Sequence, residues 1–289
     1  MANEVKQKMA NNKQEEASSQ VGVDLNQKLT EREKMILKNE QELVVKKDEY
    51  MSLTDKERIS RLDTLSKKES LNHDQKIERD ALWLTMEKPV SKEWESMRDK
   101  HIDSIVDKSA SSLSFWIAEG DWGDMSDIQR ENFLQKTSDR NNQAIGNPKK
   151  MEVDLYSNPN PKNNGAYNNK TDKISINKNS EEFNSFYSNI NTITHEGAGH
   201  GYQDYVIEDK SVYLKNKPEM KDQVKKFELS YDDQTWPNKE DQYLSETKTI
   251  YLADPSEVDA FYVGDSVQNK MPGKKQVILF EIKDEEIIK

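Results

Sequence analysis

The sequence predicts an α+β protein, with an all-helical region up to about residue 140 and a mixed region of short strands and helices after it. Three observations lead there. Up to residue 137, helix-start signals recur ahead of apolar residues spaced by three or four. Near residue 140 the composition turns to asparagine and proline. Beyond that point, two stretches alternate apolar and polar residues, the period of a half-buried strand. The 289 residues suffice for one large or two small domains. We assign 1–25 to a disordered or loosely helical N-terminus, 26–140 to a helical N-terminal domain and 141–289 to the mixed domain.

Taken in order, residues 1–25 are rich in Asn, Gln, Lys, Glu and Ser and carry too little apolar surface to pack. Thr30 with Glu33, Thr54 with Glu57 and Asn72 with Gln75 then have capping-box spacing. Behind them run Ile36 and Leu43, then Ile59, Leu62 and Leu65, then Ile77, Leu82 and Leu84. Leu53, Thr54, Ile59, Arg61 and Leu65 recur 18 residues later as Leu71, Asn72, Ile77, Arg79 and Trp83, which predicts two consecutive short helices. Past Pro89, Ser91 caps a helix carrying Trp94, Met97, Ile102 and Ile105, and Ser126 opens another with Ile128, Phe133 and Leu134. Trp116 and Trp122, beside Gly120 and Gly123, either pin a loop to the core or bind a ligand.

Asn141, Asn142, Asn147, Pro148, Asn158, Pro159, Asn160, Pro161, Asn163 and Asn164 mark turns and the domain boundary. Within the mixed region, 151–156 and 173–177 alternate as strands, and 276–282 is a further strand candidate. Phe183, Phe186, Tyr187, Ile190 and Ile193 are spaced to bury one face of a helix. That helix leads into the sequence Thr194-His195-Glu196-Gly197-Ala198-Gly199-His200.

Composition narrows the function classes. Hydrophobic residues make up 33% and charged residues 34%, so the core is thin and much of the chain is solvated helix. A net charge of −11 disfavours nucleic acid and anionic membranes as partners. No apolar run approaches the ~20 residues of a membrane span. Residues 1–20 lack the apolar segment of a signal peptide, so the expected location is outside the cell by a signal-independent route, inside a target cell after delivery, or otherwise the cytoplasm. With no cysteine, any metal must be held by histidines and carboxylates.

Two of the four histidines, His195 and His200, fall within six residues, with Glu196 directly after the first. Imidazoles are the commonest metal ligands, and an adjacent Glu can act as a general base. In the zinc-peptidase helix H-E-x-x-H, a four-residue step leaves the two imidazoles about 40° apart. Here the motif is H-E-x-x-x-H, and a five-residue step on a regular α-helix would leave them about 140° apart. A π-bulge absorbs the extra residue. Gly197, Gly199 and Gly201 weaken a regular helix by roughly 1 kcal/mol each and make the backbone permissive, so a bulge or unwound turn is expected at 197–199. The remaining histidines, His73 and His101, lie in the helical region, so the third ligand is expected to be a downstream carboxylate. Pro255 can open a helix that places Glu257 or Asp259 in its first turn.

With these residues in place, the chain resembles a gluzincin, the zincin subgroup with two histidines and a downstream Glu. Glu257-Val258-Asp259-Ala260 is similar to the E-x-x-A segment of several such families, which makes Glu257 the third ligand. Other gluzincins place the Glu directly before Ala, which favours Asp259. The order of strand 173–177, His195-Glu196, His200 and 255–260 resembles metallopeptidase domains of bacterial polymorphic toxins and secreted effectors, over about residues 150–270. The inserted residue is shared with the dipeptidyl peptidase III family.

The resemblance implies a zincin-like fold for the mixed region, a Zn2+ cofactor and hydrolysis of a peptide or protein substrate. Glu196 would be the general base, and an immunity or inhibitor protein would be a partner. A tyrosine commonly stabilises the oxyanion in this class; Tyr202, Tyr262, Tyr243 and Tyr251 are the candidates. The strand around Ile174 and Ile176 either pairs with an extended substrate or is an ordinary sheet strand. The competing readings are a helical adaptor with an inactive or structural metal site, and a zinc hydrolase of peptidoglycan cross-links. A structural site has no need of Glu196 beside His195.

Overall fold

The computed structural model describes residues 30–86, 91–231 and 254–271. The expected N-terminal arm and the strand candidate at 276–282 lie outside them. No helix of the described residues is long and apolar enough to cross a membrane.

Helix α1 (Glu31–Met51) leads into a short pair, α2 (Asp55–Ser66) and α3 (His73–Thr85). Both helices of the pair open on complete capping boxes, Thr54 with Glu57 and Asn72 with Gln75, as the spacing predicts. Their echoed residues Ile59, Leu65, Ile77 and Trp83 are all buried, but the echoed arginines diverge. Arg61 is exposed, 3.3 Å from Glu78, whereas Arg79 is buried with its Nε 2.7 Å from Asp80. Tyr50, Ile59, Leu62, Leu65, Leu82 and Trp83 form a small core that Leu229 joins from far along the chain.

A second, larger core takes in the rest. Helices α4 (Lys92–Ala110), α5 (Leu113–Asp121) and α6 (Asp127–Ile145) contribute Trp94, Ile102, Phe115 and Leu134. The caps at Ser91 and Ser126 form as expected. Trp122 sits in this core and donates its indole N–H to the Phe183 carbonyl, so the Trp/Gly stretch pins a loop. The same core holds Val153, Ile174 and Ile176 of the sheet. The two cores therefore separate before α4, and residue 140, where the composition changes, falls inside α6.

Some asparagines after residue 140 are interior hydrogen-bonding groups, while Asn158, Asn160, Asn163 and Asn164 lie in the irregular stretch 157–164, as turn residues do. Asn177, fully buried, donates to the carbonyls of Asn160 and Asn163 and accepts from the backbone N–H of Asn158 and Asn179. This loop carries polar side chains because its own backbone must be satisfied inside the fold.

The sheet has three strands: β1 (Glu152–Tyr156), β2 (Gly165–Asn168) and β3 (Lys173–Asn177), in the order β1-β3-β2. β3 is central, parallel to β1 and antiparallel to β2. The two strands read from alternation are β1 and β3. β2 escapes that reading because four residues, Gly-Ala-Tyr-Asn, are too short to show a period. The central place of β3 decides between the two readings of the strand around Ile174 and Ile176: both of its edges are taken, so it is an ordinary sheet strand.

Helix α7 (Phe186–Thr194) follows, then a π-helix (His195–Gly201), α8 (Tyr202–Glu208), α9 (Lys210–Asn216), α10 (Lys221–Ser230) and α11 (Pro255–Lys270). α7 starts three residues later than Phe183 because the Ser185 hydroxyl caps it by accepting from Ser188 N–H; Phe183 stays buried in the preceding turn. Helix α11 lies against the π-helix, α7 and α4.

Candidate metal centre

Helix α7 buries Phe186, Ile190 and Ile193 and so directs its C-terminal end into the core. There the backbone widens, and His195 to Gly201 form the π-helix. Its i→i+5 bonding makes a five-residue step about one turn, so the two imidazoles return to one face. Their ring centroids are 4.8 Å apart. The distortion expected from the extra residue is present.

The glycines act differently from the expectation. Among the described glycines only Gly146 has a positive φ, so the motif glycines use ordinary backbone angles. Their role is close approach. A Cβ on Gly199 would stand 2.6 Å from the Cβ of Ala260, and one on Gly201 would overlap the sulfur of Met151. The π-helix is thereby pressed directly onto α11, which carries Glu257.

Helix α11 opens as the sequence indicates, with Pro255 in its first turn. Asp254 caps it, Oδ1 accepting from Ser256 N–H at 2.6 Å, from the Ser256 hydroxyl at 2.6 Å and from the Ser230 hydroxyl at 2.5 Å. Burial pushes the Asp254 carboxyl up, and these hydrogen bonds oppose it. Glu257 then reaches both histidines: Oε2 is 3.5 Å from His195 Nε2 and Oε1 is 3.4 Å from His200 Nε2.

One ligand atom from each of His195, His200 and Glu257 lies within 4.8 Å of the others, so the group could hold a metal ion. Tetrahedral donors about 2.1 Å from zinc would stand about 3.4 Å apart; each Glu257 oxygen meets one imidazole near that distance, Oε2 at His195 and Oε1 at His200. The donor set of two imidazole nitrogens and a carboxylate suits zinc and also other divalent ions. Burial alone would lower the His200 pKa, but the hydrogen bond and charge of Glu257, with Glu196 and Asp254 behind it, push it up to about 9. A metal would have to displace that proton.

Asp259, the other carboxylate considered from sequence, is on a different face of α11. It accepts from the Trp94 indole at 2.9 Å, from Arg98 at 2.7 Å and from Gln203 Nε2 at 3.3 Å. It is the buried partner of an arginine and stands outside the His-His-Glu group.

Glu196 lies beside that group, its Oε1 4.0 Å from His195 Nε2. It shares with His195, His200 and Glu257 a cleft of about 330 Å³, whose walls include Gly165, Ala166 and Tyr167 of β2 and Tyr231 after α10. The β2 wall is held by an ion cluster around the largely buried pair Lys149 and Asp204, with Asp172 and Glu208 on its solvent side. Lys149 Nζ is 3.0 Å from Asp172, 2.6 Å from Asp204 and 2.9 Å from Glu208, and the Tyr167 hydroxyl donates to Asp172 and Asp204.

Two of the four candidate tyrosines, Tyr202 and Tyr262, are elsewhere. Tyr202 packs against Trp94 and His101 with its hydroxyl on the Met97 sulfur. Tyr262 is on the surface, its ring under Arg98 and its hydroxyl donating to Asp99. Neither lines the cleft. Tyr243 and Tyr251 lie outside the described residues. Tyr231, 31 positions from His200, does line it, but no local pattern points to it. Gln203 was legible: three residues after His200 on a helix is one turn away, and its Oε1 is 3.3 Å from His200 Nδ1.

No protein-family model, no curated protein and no solved structure matches the chain.

Proposed function

We propose that the chain is a zinc-dependent peptidase of gluzincin type. The observation that carries this is the placement of Glu196: a carboxylate beside the His195-His200-Glu257 group, in the same cleft and outside the ligand set. A structural metal site gains nothing from such a neighbour. Zinc held by those three residues would supply a Lewis acid that acidifies water and polarises a carbonyl.

The chain's own residues do the rest. Glu196 accepts the proton of the attacking water and returns it to the amine nitrogen as the C–N bond breaks. The cleft-facing β2 is an edge strand among the described residues, with small residues Gly165 and Ala166 beside the histidines, and its outer side is where an extended peptide would add. The ion cluster around Lys149 ties that strand to α8, because Asp204 accepts from both Lys149 and the Tyr167 hydroxyl.

The test is Glu196→Gln, which keeps shape and removes the base. Zinc content should stay at the wild-type level while hydrolysis of an unfolded protein substrate falls by the ~10²–10⁴-fold typical of losing a general base. If Glu196→Gln cleaves as fast as wild type while His195→Ala is inert, Glu196 is not the base and the reading fails.

A further inference from the structure

We propose that Gln203 and Tyr231 are positioning residues that hold His200 in the tautomer whose Nε2 is free to bind a metal. The inference rests on the metal-site reading above.

Gln203 is fully buried in the first turn of α8. Its side-chain Nε2 stands 3.0 Å from the Ser256 carbonyl and 3.3 Å from Asp259 Oδ2. The first of these can only accept, and the second belongs to a carboxylate already paired with Arg98. The amide NH2 must therefore face α11, because the reverse orientation would press an oxygen against two oxygens. That leaves Oε1 facing His200 Nδ1 at 3.3 Å. A carbonyl oxygen accepts only, so the proton sits on Nδ1 and the lone pair of the neutral ring on Nε2, which faces Glu257.

Tyr231 closes the arrangement from behind. Its hydroxyl donates to Gln203 Oε1 at 3.3 Å and is 3.2 Å from His200 Nδ1. Nδ1 and Nε2 are separate positions of the ring, so this hydroxyl orients the imidazole through the nitrogen that does not face Glu257. His195 is held differently: its Nδ1 has no hydrogen-bond partner among the described residues. The segment 256–259 thus has two tasks. It carries the third ligand, and through Ser256 and Asp259 it orients the amide that orients the second.

The experiment measures zinc affinity of the full chain by competition with a chromophoric chelator, with circular dichroism as the check on folding. Wild type should bind one zinc. Gln203→Leu should bind ~10–100-fold more weakly, the usual cost of losing an outer partner of a ligating histidine. Tyr231→Phe should lose less, since the Gln203 contact remains. Gln203→Glu should also bind weakly, because its carboxylate faces Asp259. Combining Gln203→Glu with Asp259→Asn puts a donor amide opposite the new carboxylate and should recover part of the affinity; recovery stays incomplete because the Ser256 carbonyl still faces an oxygen and Arg98 loses its anion. A purely structural role predicts no such recovery. Wild-type affinity in folded Gln203→Leu overturns the proposal and leaves the metal site standing. Should Gln203→Leu not fold, a double variant no better than Gln203→Glu alone overturns it equally. Wild type that binds no zinc sinks the metal reading itself.

Discussion

Helices α2 and α3 each start at a side chain that caps them and bury one apolar stripe. The segment 195–201 starts with no side-chain cap and is buried throughout. The first pair is specified locally: a box of four residues fixes each start, and a spacing of three or four fixes the buried face. The second is an irregular helix whose shape depends on what packs against it. Ala260 touches Gly199, Met151 fills the space beside Gly201, and Ile174 comes close to Gly197. Irregular backbone is retained where surrounding contacts over-determine it, and such places cluster at functional sites.

Substitutions can break this contrast or sharpen it. The largest effect is expected on α11, where two carboxylates two residues apart have opposite roles. Asp259→Ala leaves Arg98 buried without its anion, which should cost ~3–5 kcal/mol in the urea unfolding of the metal-free chain. Glu257→Ala should instead erase the rise in Tm that added zinc gives wild type. If Glu257→Ala keeps that rise and a folded Asp259→Ala loses it, the two assignments are reversed.

The next effect is steric. Gly199→Ala places a methyl 2.6 Å from the Ala260 Cβ, so α11 must move, at an overpacking cost of ~1–3 kcal/mol. Because α11 carries Glu257, zinc affinity should fall as well. Gly120→Ala has open space around it and serves as the control; it should not destabilise the helix. Equal Tm values for Gly199→Ala and wild type would show that close approach does not hold the π-helix. The smallest effect is at the local end of the comparison. Thr54→Ala removes one cap and should cost ~1 kcal/mol in thermal unfolding, with no change in zinc affinity. A changed affinity would mean that the α2–α3 core, joined to α10 through Leu229, is coupled to the site.

Much was legible beforehand wherever the signal is short-range. The capping boxes at Thr54 and Asn72, the strands β1 and β3 and the helix leading to His195 all follow from neighbours within a few positions. The need for a distorted helix was legible too, because two imidazoles five residues apart can share one face only if a regular helix gives way. β2 was not: four residues carry no period, and its place comes from pairing with β3 and from the Lys149 cluster. Asn141 and Asn142 misled, because turn residues and buried hydrogen-bonding residues are the same type: both lie inside α6, their amides donating to the Thr194 hydroxyl and the Lys149 carbonyl.

What the amino-acid order determined by itself, then, is which side chains can form a metal group: His195, Glu196 and His200 at one locus and a carboxylate just after Pro255 at another. What only the tertiary structure decided is which carboxylate that is, which tyrosine stands nearby and where the cores separate. Side chains two apart on a helix point about 200° apart, so both Glu257 and Asp259 cannot face the histidines. The choice between them is made by how α11 docks. Arg98 and Trp94 of α4 hold Asp259 on one side, and Ala260 resting on Gly199 sets the distance at which Glu257 meets the two imidazoles.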